Sequence, residues 1–245
     1  MFDKYGNILT MLLVIFIVAI FGIVGYFVYD MLNSNNINEN AQSAMDQFEA
    51  STQTVKNEKN KNKVKKENKV KNEYVPIDRN AVNPLEELNQ LNADRVPDET
   101  ERQEPEKVYM EDYEVKGTIE IPKTGIKYPV LDSVTKRSLE IAVGIAYGPG
   151  LNQVGNTIIY GHNYRNGLFF SDNKKLVSGD VIYITDQYGE KVTYEIYNVY
   201  QTSANDASYF TRDTEGRREI SLQTCTDDSS ARIIIWAAEQ EQTQQ

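Results

Sequence analysis

The stretch EISLQTCTDDSSARIIIWA, residues 219–237, reads as a strand folded back on a second strand. Ile220 and Leu222 alternate with polar neighbours, the two-residue period of a half-buried strand, and the run ends at Cys225. Six residues follow, Thr226 to Ala231, rich in Asp and Ser, and a new strand opens at Arg232. If the two strands pair antiparallel, the residues bounding the loop face each other across its mouth. Cys225 and Arg232 would then stand side by side at a strand end. A guanidinium beside a thiol favours the thiolate, which is the reactive form, and can hold a carbonyl oxygen as charge develops on it.

Upstream, the same punctuation recurs. Short β-type runs separated by Gly, Pro and Asn/Asp predict strands at 115–121, 126–131, 156–160, 180–185, 191–200, 219–225 and 231–237, with short helices at 137–143 and 171–176. Seven or eight strands in about 130 residues, without regular helix–strand alternation, point to a mainly β fold that closes into a barrel rather than a parallel sheet. The barrel domain is expected over 108–239, with a polar tail over 240–245.

Before it lie two segments of different character. ILTMLLVIFIVAIFGIVGYFVY, residues 8–29, has no charged residue and as a helix spans roughly 33 Å, enough to cross a bilayer core. It is longer than the apolar region of a signal peptide, and no small-residue cleavage site follows directly, which favours an uncleaved anchor. Lys4 precedes it and the first lysine after it is Lys56, so the positive-inside rule weakly favours a cytoplasmic N-terminus over 1–7. That makes a single-pass membrane protein with the barrel outside. Residues 30–107 are rich in Asn, Lys and Glu and read as a solvated stalk, although Ala44, Met45 and Phe48 have the spacing of one weak helical face. As coil, such a segment reaches about 50 Å from the membrane. Its eight lysines over 56–71 could also meet anionic lipid headgroups or wall polymers.

A net charge of −10 argues against a nucleic-acid partner, whose footprint is a basic face. One cysteine and one histidine exclude an internal disulfide and a four-ligand His/Cys zinc site without carboxylates. Thiol or imidazole chemistry therefore falls to Cys225 and His162. The histidine sits in NTIIYGHN, residues 156–163, where an apolar strand delivers Gly161 and then His162 at its end. Nucleophilic cysteine chemistry needs a thiolate, a proton carrier and a charge stabiliser, and Cys225, His162 and Arg232 supply one of each. Taken singly, the bland readings are a small buried thiol, a structural imidazole, and a surface arginine neutralised by Asp227 and Asp228. Spacing does not prove proximity, since 63 residues separate His162 from Cys225.

SLQTC with an arginine opening the next strand resembles the sortase signature, and IIYGHN followed by NGLFFSDNKKL resembles the sortase histidine segment. The order His, Cys, Arg, behind an N-terminal anchor, is similar as well. The resemblance spans roughly 115–238 and implies a sortase-like barrel at the outer face of a Gram-positive membrane. It implies a cysteine transpeptidase in which Cys225 attacks a carbonyl within a C-terminal LPxTG-like sorting motif of a surface protein, forming a thioacyl intermediate. His162 would serve as acid and then base, Arg232 would bind the motif and the oxyanion, and Thr224 would belong to the substrate pocket. The acceptor would be an amine of peptidoglycan precursor or of a pilin. The class stays open: the histidine segment resembles class B, whereas GPGLNQVGN, residues 148–156, resembles classes A or D. Ser221 stands where the signature usually has Thr, and the loop between Cys225 and Arg232 is short. No cofactor or metal ligand set is expected; Glu140 and Asp206 do not make a recognisable calcium loop, and calcium dependence stays open. Two other readings remain, a cell-wall cysteine endopeptidase and a non-catalytic, membrane-tethered scaffold on the same barrel.

Overall fold

The structure, a computed structural model, describes residues 2–70 and 105–240. Nine strands follow a long N-terminal helix α1 (Phe2–Val70): β1 Tyr109–Met110, β2 Tyr113–Ile121, β3 Ile126–Leu131, β4 Val143–Tyr147, β5 Gly155–Tyr160, β6 Val181–Asp186, β7 Lys191–Ser203, β8 Arg218–Cys225 and β9 Ala231–Glu239. A short helix α2, Lys136–Ile141, lies between β3 and β4 and is opened by a reciprocal capping box of Thr135 and Ser138. The strand order is β1-β2-β3-β4-β5-β8-β9-β7-β6, and β6 also pairs with β2, so β2 to β9 close into an eight-stranded barrel. Closure removes the free sheet edges that would otherwise template pairing with other chains.

Every strand the sequence predicts is present, within a few residues at its ends. The two additions were hidden for physical reasons. β4 runs as VGIAY, five residues with a glycine and no polar–apolar alternation, and its burial falls off from Val143 to Tyr147 instead of alternating. β1 is two residues long. The helix expected over 137–143 ends at Ile141, so Val143 opens β4, and the one expected over 171–176 is a 3-10 turn, Asn173–Lys175.

The barrel interior is filled by Ile119, Ile121, Val130, Ile182, Ile184, Ile220 and Leu222, all but excluded from solvent. A second, smaller cluster lies on the outer face, where Ile158 and Ile234 pack with Tyr209 from the loop between β7 and β8. That loop, residues 204–217, is pinned by polar contacts. Asn156 Nδ2 donates to the Tyr209 carbonyl at 2.9 Å. The Glu219 side chain, fully buried, pairs with Arg212, accepts from Tyr197 Oη at 2.7 Å, and has Arg217 Nη2 at 2.8 Å.

Over its first part the segment expected as a stalk is helical. The apolar run and the residues after it form one unbroken helix to Val70, with no Gly or Pro between Met31 and Val70 to stop it. The weak face seen at Ala44, Met45 and Phe48 extends to Ala41 and Thr52, and all five are buried against the barrel. Tyr128 Oη donates to Asn38 Oδ1 at 2.8 Å, and Lys127 pairs with Glu49 at 3.1 Å. A helix that looks too polar to bury anything thus buries one narrow stripe, which is all that docking requires. The stalk expected over 71–104 and the tail over 241–245 lie outside the described residues.

Removing the Glu219 carboxylate strands a buried guanidinium, so Glu219→Ala is expected to destabilise the fold by about 3–5 kcal/mol in denaturant melts. An effect below about 1 kcal/mol, the range of exposed pairs, would show that the loop is held by its apolar contacts instead.

Candidate active site

β5 and β8 are parallel neighbours, with Tyr160 opposite Gln223 as the last registered pair. The ladder goes one step further, the Gly161 amide donating to the Gln223 carbonyl at 3.1 Å. Two strands that leave a parallel pair in register emerge at the same end, so His162 and Cys225 are both delivered to that end of the β5–β8 pair. The 63-residue separation is closed by the β5–β8 ladder. On the other side of β8, antiparallel pairing with β9 sets Cys225 opposite Arg232 as the final pair, as the hairpin reading expects. The structure therefore brings His162, Cys225 and Arg232 to one rim of the barrel.

Gly161 makes the approach possible. A Cβ at this position would lie 2.6 Å from the Phe170 ring and 2.9 Å from Val143, inside van der Waals contact. The chain turns tightly after it, and the Phe170 amide donates to the His162 carbonyl at 3.1 Å. The imidazole is half-buried, with the Tyr164 ring 4.9 Å away at 39°. Burial disfavours the imidazolium and lowers its pKa below the ordinary 6.5, against an opposing pull from Glu140 on α2.

Cys225 is a free thiol, half-buried on the outward-facing side of β8. Its carbonyl accepts from Asn163 Nδ2 at 3.0 Å, and the same amide donates to Asp227 Oδ1 at 2.9 Å. Asn163 thus joins the residue after the histidine to the residue carrying the thiol. It stands in the quoted NTIIYGHN, but nothing in the sequence shows what its side chain meets. Asp227 is also paired with Lys174 at 2.6 Å, and these partners hold its carboxyl below the usual range. Asp228 accepts from the Thr226 and Ser230 hydroxyls and the Ser230 amide, which brings its carboxyl down to about 2.

The two aspartates are therefore engaged within and beside their loop and do not neutralise Arg232. Among the described residues no carboxylate pairs with Arg232. Its Nη1 donates to the carbonyls of Ala231 at 3.1 Å and Ser229 at 3.5 Å, which fixes the guanidinium while leaving its charge uncompensated. Thr224, expected in the substrate pocket, is 2% exposed and shares the parity of Ile220 and Leu222, and its Oγ1 has no hydrogen-bond partner among the described residues.

Because the folded chain binds the imidazole proton less tightly than the unfolded chain, stability from the neutral ring is complete above pH 6.5 and is lost as pH falls through the lower folded value. As the chain has one histidine, a single NMR titration reads this directly. The midpoint is expected below 6.5, and a midpoint above it would contradict burial as the dominant influence.

Comparison with known proteins gives the same frame. A family model described as the sortase domain matches residues 119–240, from within β2 to just past β9. Sortase A of Bacillus anthracis is 30% identical over 125 residues, which cover 50% of this chain and 58% of that protein, so the match spans little more than half of the relative's length. Among solved structures, a lid mutant of sortase A from Corynebacterium diphtheriae is 26% identical, covering 67% of this chain and 83% of that one, with a TM-score of 0.48. A Clostridium perfringens sortase D5 transpeptidase is 27% identical, covering 52% and 79%, with a TM-score of 0.47. The closed barrel and the matched domain agree, and the chain belongs to the sortase family.

Proposed function

We propose that this protein is a membrane-anchored cysteine transpeptidase that joins surface proteins bearing an LPxTG-like sorting motif to an amine of the cell wall or of a pilin. The observation that carries the reading is the rim itself. A free thiol, the chain's one imidazole and a guanidinium with no carboxylate partner among the described residues end three neighbouring strands. A scaffold has no use for an uncompensated charge next to a thiol. An endopeptidase of the kind weighed above wants a third polar residue orienting the imidazole, whereas the His162 ring makes no side-chain hydrogen bond among the described residues.

In this mechanism Cys225 Sγ attacks a backbone carbonyl of the motif while its proton passes to the neutral His162. The oxyanion of the tetrahedral intermediate is held by Arg232, whose fork is already fixed by the loop carbonyls. Collapse breaks the C–N bond, and His162 gives its proton to the departing amine, leaving a thioacyl-enzyme. An incoming amine then loses a proton to His162 and displaces Cys225. Burial suits the imidazole to both duties, since a lowered pKa keeps it ready to accept and quick to release.

The anchor fits the same reading. One helix among the described residues is long and apolar enough to cross a membrane, and its large apolar side chains from Ile8 to Leu32 are exposed. From Tyr29 to Asn38 at 1.5 Å per residue is about 14 Å, so the barrel docks close to the bilayer surface rather than at the end of a long tether. With the N-terminus cytoplasmic, the site would face lipid-linked wall precursors outside the cell.

The test is turnover of sorting-motif peptides with an added amine. Cys225→Ala is expected to abolish it and His162→Ala nearly so. Arg232→Ala should cost about 3–4 kcal/mol in transition-state stabilisation, by analogy with lost oxyanion donors. Arg232→Lys should not restore it, because a point charge lacks the planar fork. Undiminished turnover in Cys225→Ala would overturn the proposal.

A further inference from the structure

The imidazole of His162 is linked to the N-terminal helix by an unbroken series of contacts. Tyr164 stacks on it at 4.9 Å, and Phe169 lies 5.8 Å from Tyr164. Phe169 is fully buried and holds φ at +50°, a left-handed conformation that a bulky residue adopts only when its surroundings impose it. Its other ring contact leads toward α1. Tyr128 of β3 packs against Phe169 at 5.0 Å. The Tyr128 hydroxyl donates to Asn38 Oδ1 of α1 at 2.8 Å. Phe169 is also bridged in antiparallel fashion to Asn163, the residue that holds the Cys225 carbonyl.

The contact with α1 is focused. A cleft of about 350 Å³ separates parts of α1 from β3 and the turn at 166–168, so this side of the loop is supported at points rather than by continuous packing. The register of α1 is fixed nearby by buried Phe48 and the Glu49–Lys127 pair. Asn38 therefore presents its oxygen to Tyr128 from a rigid element, and the Tyr128 ring packs on the left-handed Phe169.

We propose that α1 is a positioning element for the active site, with Asn38 and Tyr128 fixing the Phe169–Tyr164 stack and through it the orientation of the His162 ring. The membrane helix would then be part of the catalytic framework as well as a tether. The inference rests on His162 carrying protons, as proposed above, but one readout is independent of activity.

The experiment uses the full chain in detergent micelles, with the single histidine carrying ¹³C in its ring, and compares Asn38→Ala, Tyr128→Phe and Asn38→Asp. The first two should lower kcat roughly ten-fold, the scale of a misplaced catalytic group, with KM for a sorting-motif peptide within about two-fold. Both should also shift or broaden the His162 ring signals. Asn38→Asp keeps an acceptor oxygen and should return kcat and spectrum toward those of the unaltered chain. Unchanged kcat, or reduced kcat with unchanged ring signals, in folded Asn38→Ala and Tyr128→Phe would overturn the proposal. An unaltered chain that turns over no peptide would count against the transpeptidase reading alone, because the ring signals still report whether α1 holds the imidazole.

Discussion

The parallel pairing of β5 with β8 is the constraint on which the rest depends. A cysteine and a histidine far apart in sequence can act together only if the chain returns to the same place facing the same way, and a registered parallel pair does this at its shared end. Parallel neighbours require a crossover, and here it consists of β6 and β7, which pair with each other and help close the barrel. The antiparallel hairpin of β8 and β9 then adds Arg232 at no topological expense. Burial of Ile159, Ile220 and Leu222 in the main core holds the two central strands in that register, because a one-residue slip would turn these side chains to the opposite face.

Around this frame, the electrostatics are arranged by elimination. Two acids stand within a few residues of Arg232, yet Asp227 is engaged with Lys174 and Asn163, and Asp228 with Thr226 and Ser230. The arginine keeps a positive field at the rim. The loop between β7 and β8 covers the outer face of the barrel, held by the buried Glu219 cluster and by Asn156, whose Oδ1 also accepts from Ser221 at 2.8 Å. Ser221 replaces a threonine of the family signature, and its hydroxyl is the part that is used.

Much of this was legible beforehand, and the reasons differ by residue. The hairpin was readable because alternation at Ile220 and Leu222 and the polar loop are local signals, so facing Cys225 with Arg232 needed only the antiparallel rule. His162 could be named by scarcity, but its nearness to Cys225 follows from a long-range register that no local pattern encodes. Asn163 was in plain view with no assignable acceptor, since the two groups its Nδ2 donates to lie over sixty residues away. β4 escaped because VGIAY is short and carries no polar–apolar alternation. The docking of α1 was half visible as a weak face at Ala44, Met45 and Phe48. Asparagine-rich composition argued for coil, and tertiary contact outweighed that propensity.

The central claim is that Cys225 forms an acyl link that an amine releases. Incubation of the full chain in micelles with LPxTG-like and NPxTG-like peptides, followed by acid quench and intact mass, tests it most directly. A mass gain equal to the acyl portion of one peptide, located on Cys225 and removed by oligoglycine or a diamino acid, is the result this account predicts. A folded chain that gains no mass with any peptide, and whose Cys225 also resists iodoacetamide, would contradict it.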